Sequence, residues 1–208
     1  MRPTFPNRRH PSAGDYFDQY ATELATALAS IDRAQLDAAI AILTGAHERD
    51  ATIFCCGNGG SASIANHMVC DHQKGVSCDT SLRPRVISLS SNVEVMTAVT
   101  NDIGFADVFA FPLRIHGRKG DVLVAVSSSG KSENIIRALK AAAEVGMETI
   151  ALTGFDGGDS LKLASATIHV DGWNYGVIED AHQACMHVLA QYLRHEAMPE
   201  ELLSKRRF

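Results

Sequence analysis

The sequence lacks the features of several common classes of protein. No apolar run approaches the roughly 20 residues that a membrane-spanning helix needs, so no membrane span is expected. Positive charge is in the minority, because 19 Lys and Arg stand against 24 Asp and Glu and the net charge is −5. Nucleic acid is held largely by positive charge, and direct binding of DNA or RNA is therefore not expected either.

Cysteine is sparse, and its spacing does not indicate a disulfide framework or a zinc ribbon. The five cysteines are odd in number and contain no C-x-x-C pair: Cys55, Cys56, Cys70, Cys78 and Cys185. The first two lie in an apolar run. We therefore expect buried, reduced thiols and a cytoplasmic protein.

What the sequence does contain is a repeated alternation of short apolar segments with helical ones. Segments typical of buried strands occupy 51–57, 85–91, 121–130, 147–154 and 166–172. Two amphipathic helices precede them, and a last long helix is predicted from about Val177 to Glu196. This alternation predicts an α/β fold with a five-stranded parallel sheet, covered on both faces.

The predicted organisation is a single domain between two short ends. The opening stretch MRPTFPNRRHPSAGD lacks the apolar core of a secretory signal, and it is typical of a disordered or draped arm. We expect a flexible arm over residues 1–14, the domain over residues 15–197 and a tail over residues 198–208.

Two glycine-containing stretches resemble nucleotide motifs, but each lacks an essential part. GNGGSA at 57–62 fits the dinucleotide pattern G-x-G-x-x-A, yet the second strand ends in Ser-Leu-Ser-Ser without the acidic residue that holds a ribose. AVSSSGKS at 125–132 has Ala125 where a phosphate-binding P-loop requires glycine. Neither NAD binding nor nucleotide hydrolysis is therefore expected.

Both stretches follow a strand and open a helix, which is where anions bind in α/β proteins. The second stretch adds four hydroxyl groups at the end of its strand, from Ser127, Ser128, Ser129 and Ser132. Ordinary capping of the helix by serine is the alternative explanation. Four hydroxyls within six residues favour a site for an anion such as phosphate.

Two pairs of residues have the spacing of metal ligands. His67 and Asp71 are four residues apart in a predicted helix, so they share a face. Glu179 and His187 are eight residues apart in the last helix, and they lie within about 80° of each other around it. If the two helices come together, their two imidazoles and two carboxylates form a ligand set that suits zinc or a similar divalent ion. Taken alone, a histidine on a helix is more often structural or exposed than a ligand. The other helical histidines, His72, His182 and His195, are expected to be structural or exposed.

The chain resembles the sugar isomerase (SIS) domain family, and within it the phosphoheptose isomerases. The resemblance covers residues 15–197 and rests on five segments in family order: CGNGGSASIANH with Asp71, VTNDIGFADVF, VSSSGKSENII, IALTGFDGG and the stretch from Glu179 to His187. It implies a flavodoxin-like three-layer sandwich and a homotetramer with active sites between subunits. It also implies isomerisation of a phosphorylated sugar, sedoheptulose 7-phosphate to D-glycero-D-manno-heptose 7-phosphate, through a cis-enediol.

The resemblance also implies roles for individual residues. His67 and His187 match zinc ligands, and His187 matches a residue that also performs acid–base chemistry. The first substrate loop matches Asn58, Gly59, Gly60 and Ser61, the phosphate loop matches the four serines of 127–132, and the positions that touch the sugar match Asn101 and Asp102.

Two positions depart from the family pattern. Asp71 stands where the family has a glutamate that is both metal ligand and base, and Glu179 stands where it has a glutamine ligand. The site therefore carries one more formal negative charge, which favours a divalent cation and raises the proton affinity of one carboxylate. Either Asp71 or Glu179 is the base, with Asp71 favoured by position.

The same two departures leave other functions open. An isomerase of a different sugar phosphate, a non-catalytic SIS protein that binds a protein partner, and a sugar-phosphate sensor are the alternatives. The retained His67, Asp71 and His187 favour the enzyme.

Overall fold

A computed structural model describes residues 4–207 of the chain. The strands are β1 Thr52–Gly57, β2 Arg85–Ser88, β3 Val122–Ser127, β4 Glu148–Thr153 and β5 Ala166–His169. The helices are α1 Ala13–Ala29, α2 Arg33–Glu48, α3 Gly60–Cys70, α4 Val93–Asp102, α5 Ala110–His116, α6 Glu133–Val145, α7 Ser160–Leu163, α8 Tyr175–Ala197 and α9 Glu200–Leu203. A π-helical segment, Asp71–Val76, continues α3, and a 3-10 turn covers Phe105–Asp107. None of the helices within the described part of the chain is long and apolar enough to cross a membrane.

The five strands form one parallel sheet in the order β2-β1-β3-β4-β5. This is the flavodoxin-like order, and it confirms the predicted fold class. β1 and β3 are hydrogen-bonded neighbours, with Gly57 opposite Val126. From β1 the chain continues to β2 at one edge of the sheet, whereas from β3 it continues to β4 toward the other edge. The loops that follow these two strands therefore leave the same edge of the sheet side by side, where open α/β sheets bind ligands.

Both faces of the sheet are covered, because alternate residues of the central strands point into two separate apolar layers. Cys55 and Val124 face a layer to which α1, α2, α3 and α8 contribute. Phe54 and Leu123 face a second layer, built with α5 and α6. All of β3 and most of β1 are buried. The result is the three-layer sandwich that the apolar runs predicted.

Several predicted boundaries shift. β3 ends at Ser127, so Ser128 and Ser129, which the predicted strand 121–130 included, belong to the turn beyond it. The last long helix, α8, spans Tyr175–Ala197 and is slightly longer than predicted at both ends. The amino-terminal arm was expected to be either disordered or draped over the domain, and at Phe5 it is draped. The side chain of Phe5 is buried, and its carbonyl accepts a hydrogen bond of 3.0 Å from Asn174 Nδ2.

All five cysteines are free thiols, and Cys55, Cys56 and Cys185 are buried as expected. Burial raises the pKa of Cys55 to about 12 and that of Cys185 to about 11, so both remain protonated near neutral pH. The expectation of buried thiols is wrong for Cys70, which is exposed on the last turn of α3.

Two buried histidines make the stability of the fold sensitive to acid. Burial lowers the pKa of His72 to about 3 and that of His182 to about 4. In the unfolded chain both titrate near 6.5, so the stability from the neutral imidazoles is complete above pH 6.5 and is lost as the pH falls. Below pH 6.5, we expect the free energy of unfolding to decrease by about 1.4 kcal/mol per pH unit for each histidine.

Urea denaturation between pH 7 and pH 5 measures this slope. His72→Leu is expected to make this slope shallower, because the ring nitrogens of His72 are buried and have no hydrogen-bond partner among residues 4–207. The matched control is His195→Gln, which replaces a half-exposed imidazole. An unchanged slope in the His72 variant would contradict the assignment.

Candidate functional site

The loop after β1 turns sharply because of its glycines. Gly59 has a φ of +53°, which favours glycine, and it caps the start of α3. Gly57 packs against the backbone of the next helical turn, and a Cβ there would lie 2.4 Å from the Ser61 carbonyl oxygen. The glycines thus serve a tight strand-to-helix turn at the edge of the sheet.

The loops after β1 and β3 enclose one pocket of about 140 Å³. It is lined by Asn58, Ser61, Val126, Ser127, Ser128, Ser129, Ser132, Tyr175 and Glu179. The predicted substrate loop and the predicted phosphate loop are therefore brought together. Hydroxyl and amide groups dominate the lining, as expected for a small anion at a helix N-terminus.

The four serines divide into two that shape the turn and two whose hydroxyls are available. Ser127 Oγ accepts a hydrogen bond from Gly130 N, and Ser129 Oγ accepts one from Lys131 N, both at 3.2 Å. Ser128 Oγ is buried without a hydrogen-bond partner among the described residues. Ser132 precedes α6 but makes no side-chain capping bond. The capping alternative therefore does not describe Ser132, and a ligand anion would satisfy these groups.

The serine loop is supported from behind by the loop after β4. Gly130 has a φ of +62° and lies so close to this loop that a Cβ would be 2.0 Å from the Gly157 carbonyl oxygen. The Gly130 carbonyl accepts hydrogen bonds from Ser160 N at 3.1 Å and from Ser160 Oγ at 2.9 Å. The position of the serines is thus fixed by backbone contact.

A second group of polar side chains lies where α3 meets α8. His67 Nε2 is 3.2 Å from Asp71 Oδ1, and His187 Nδ1 is 2.9 Å from Asp71 Oδ2. The two imidazole rings are nearly perpendicular, with centroids 5.0 Å apart. One ligand atom from each of the three residues lies within 4.8 Å of the others, which is a geometry able to hold a metal ion. Nitrogen and oxygen donors of this kind suit zinc.

This three-residue group is open to the outside. A cavity of about 410 Å³ reaches Asp71 and His187 and is also lined by Lys74 and Gln191. The π-helical segment begins at Asp71 itself. Such segments occur frequently at functional sites, and this one places Lys74 on the cavity wall.

Glu179 does not belong to the three-residue group. Its carboxylate lies against Gly60, where an added Cβ would be 2.4 Å from Oε2, and it lines the serine pocket instead. Burial, and then the neighbouring Asp180, raise the pKa of Glu179. Eight residues of α8, about 12 Å, separate it from His187. Among residues 4–207 its carboxylate makes no hydrogen bond.

Asn101 and Asp102 lie away from both cavities. They end α4 on the exposed surface, and Asn101 Nδ2 donates a hydrogen bond of 2.7 Å to Asp102 Oδ1. Neither lines the serine pocket. Within the described residues, the structure therefore does not bring Asn101 or Asp102 to the serine pocket.

Sequence reasoning missed two amides. Gln183 Nε2 lies 3.1 Å from His187 Nε2, and the four-residue spacing on α8 was a usable signal. Asn134 pairs with Asn58 and is buried in the first turn of α6. Its sequence context carried no signal, because polar residues in the first turn of a helix are usually exposed.

The parallel sheet and the paired loops at its switch point are those of an SIS domain. The chain belongs to the SIS domain family, whose model matches residues 15–154. It is 36% identical to the phosphoheptose isomerase of Mycobacterium bovis over 169 residues, which are 79% of this chain and 85% of that protein. Identity is also 36% to the phosphoheptose isomerase of Rhodospirillum rubrum, over 73% of this chain and 80% of that one.

A solved structure agrees with these sequence relatives. The phosphoheptose isomerase of Neisseria gonorrhoeae matches the fold with a TM-score of 0.79 and 30% identity, covering 88% of this chain and 96% of that one. The predicted family is therefore confirmed.

Proposed function

We propose that this protein is a phosphoheptose isomerase, which interconverts sedoheptulose 7-phosphate and D-glycero-D-manno-heptose 7-phosphate. The observation that carries the proposal is the pairing of a serine-lined pocket with the His67–Asp71–His187 group on an SIS fold. The named relatives and the solved structure support the same substrate class.

The reaction moves a proton between C1 and C2 of the sugar and needs three functions from the protein. The serine loop and the start of α6 would bind the phosphate, and this remote binding fixes the reacting carbons in place. A carboxylate would remove the proton from carbon. His187, which contacts both Asp71 and Gln183, would transfer the proton between the sugar oxygens.

The donor set of the three-residue group fits a zinc ion. Two imidazole nitrogens and a carboxylate oxygen would leave one coordination position open, which is the pattern of catalytic zinc sites. Zinc bound by His67, Asp71 and His187 would polarise the sugar carbonyl. Glu179 as a fourth ligand stays a prediction, since its carboxylate lies in the serine pocket.

The contacts of the two candidate bases differ. Both oxygens of Asp71 are engaged by imidazoles, whereas Glu179 is unpaired within the described residues and has a raised pKa. A raised pKa brings a carboxylate closer to the pKa of an effective general base. These contacts favour Glu179 as the base, with Asp71 organising the two histidines, although position in the family pattern favours Asp71.

We also propose a cytoplasmic homotetramer with active sites shared between subunits. The stretch from α4 to α5 exposes a series of large apolar side chains: Val93, Val95, Ile103, Phe105, Phe111 and Ile115. Large apolar side chains exposed along one stretch of chain favour a subunit interface there. Asn101 and Asp102 lie on the same stretch, which would carry them to a neighbouring subunit's site.

Proton exchange tests the proposed activity. The protein, with its metal content measured, is incubated with sedoheptulose 7-phosphate in deuterated water and followed by NMR. We expect deuterium incorporation at the reacting carbon and a new aldose signal, both abolished by a chelator and restored by zinc.

The other outcomes separate the alternatives. No exchange despite a bound metal would reject this substrate and indicate a different sugar phosphate, consistent with the Asp71 and Glu179 departures from the family pattern. No exchange and no bound metal would favour a non-catalytic, partner-binding protein.

A further inference from the structure

An amide pair joins the two loops of the pocket. Asn58, in the loop after β1, and Asn134, in the first turn of α6, bond to each other reciprocally. Asn58 Nδ2 donates to Asn134 Oδ1, and Asn134 Nδ2 donates to Asn58 Oδ1, both at 2.9 Å. Asn134 is only 2% exposed. The two residues are 76 positions apart, so the pair is a tertiary link across the switch point of the sheet.

The pairing uses part of the hydrogen-bonding capacity of the Asn58 amide. Each amide oxygen accepts a bond and each amide nitrogen donates one within the pair. Leaving Asn134 unpaired would cost the desolvation of a buried amide. Direct binding of the sugar by the Asn58 amide, as the family resemblance implies, would have to use its second N–H or its remaining oxygen lone pair.

The pair is also located where small displacements matter most. Asn58 precedes α3, the helix that carries His67 toward the metal-binding group, while Asn134 sits two residues after Ser132 at the start of the phosphate site. The link therefore sets the distance between the serine loop, which would bind the phosphate, and helix α3, which carries His67 toward the metal-binding group. Reaction rates depend steeply on such distances, and displacement by about 1 Å can cost about 100-fold.

We propose that Asn58 and Asn134 act together as positioning residues: their amide pair holds the two loops in the geometry that binds the phosphate group of the sugar. The proposal rests on the proposed function for its substrate. The pocket geometry that carries it is independent of the catalytic step.

A double-mutant cycle tests the pair. Leucine is similar in size to asparagine and has no hydrogen-bonding group, so the variants are Asn58→Leu, Asn134→Leu and the double variant. The readouts are the Kd of inorganic phosphate by calorimetry, and kcat and KM for sedoheptulose 7-phosphate. We expect each single change to weaken phosphate binding by roughly 10-fold and to lower kcat/KM by about 100-fold. The double variant is expected to bind phosphate no more weakly than the more impaired single variant, because each single change already removes the same link.

Two further variants guard against a general loss of structure. Asn58→Asp and Asn134→Asp each keep the size of the side chain and one of the two hydrogen bonds, and they replace the leucine variants if those do not fold. Thr149→Val is the matched control. It removes a buried hydroxyl that contacts Ser165 at the opposite end of β4. It is expected to lower the thermal midpoint while leaving phosphate affinity unchanged.

The outcomes distinguish failure of this inference from failure of the proposed function. Additive effects, with Asn58→Leu much the more severe, would overturn the positioning role and indicate direct contact with the substrate. Unchanged phosphate affinity in both single variants, or no phosphate binding by the unmodified protein, would overturn it as well. Coupled losses of phosphate affinity in a protein without isomerase turnover would support the pair and reject the proposed substrate.

Discussion

Asp71→Asn is expected to reduce turnover of sedoheptulose 7-phosphate by about a thousandfold or more. The carboxylate bridges His67 at 3.2 Å and His187 at 2.9 Å, and an amide keeps only one oxygen acceptor for these two imidazoles. The substitution also removes the only negative charge of the three-residue group. Zinc content, measured by elemental analysis, is expected to fall together with turnover.

The comparison with Glu179→Gln separates the two candidate bases. If Glu179 is the base, this change should lower kcat by about 10²- to 10⁴-fold while zinc content stays close to that of the unmodified protein. If Asp71 is the base, Glu179→Gln restores the amide that the family pattern has at this position, and turnover should persist.

The double variant Asp71→Glu/Glu179→Gln restores the family's pair of residues and serves as the matched control. It is expected to retain turnover under either assignment. Near-normal turnover in both Asp71→Asn and Glu179→Gln would contradict the mechanism as a whole.

The parts of the site that the sequence predicted are those set by local geometry. His67 and Asp71 share a helical turn, so a four-residue spacing was enough to bring them within 3.2 Å. The loops after β1 and β3 were predicted to lie at the ligand-binding edge because apolar runs ending in glycine or serine indicate parallel strands. Neither prediction needed knowledge of packing between distant segments.

The parts that escaped prediction depend on how elements pack. The eight-residue spacing of Glu179 and His187 defines a helix face but not its distance from α3, and Glu179 lies beside Gly60 at the serine pocket. The Asn58–Asn134 pair joins segments 76 residues apart, and no local sequence pattern predicts it. The π-helical segment at Asp71–Val76 changes the helical register just after the metal-binding face.

Gly130→Ala is expected to disrupt the phosphate site and the fold together. Gly130 has a φ of +62°, and an added Cβ would lie 2.0 Å from the Gly157 carbonyl oxygen. The contacting atom is backbone, so relief requires the loop after β4 to move, together with the two hydrogen bonds from Ser160. The combined cost of left-handed backbone and overpacking is about 2–4 kcal/mol. Urea denaturation measures this loss, and phosphate titration is expected to show at least about 10-fold weaker binding.

Substitutions at two other glycines show whether the loss of stability and phosphate binding comes from the contact between the two loops or from replacing any glycine. Gly158 meets the same contact from the other side, since its Cβ would lie 2.4 Å from the Gly130 carbonyl oxygen, and its φ is +52°. Gly158→Ala is therefore expected to weaken phosphate binding in the same way, although Gly158 does not line the pocket. Gly14→Ala, in α1, would contact only Ser12 Oγ at 3.6 Å and is expected to stabilise the protein by about 0.5–1 kcal/mol. If Gly130→Ala and Gly158→Ala lost stability but bound phosphate normally, the serine loop would not owe its binding geometry to the loop behind it.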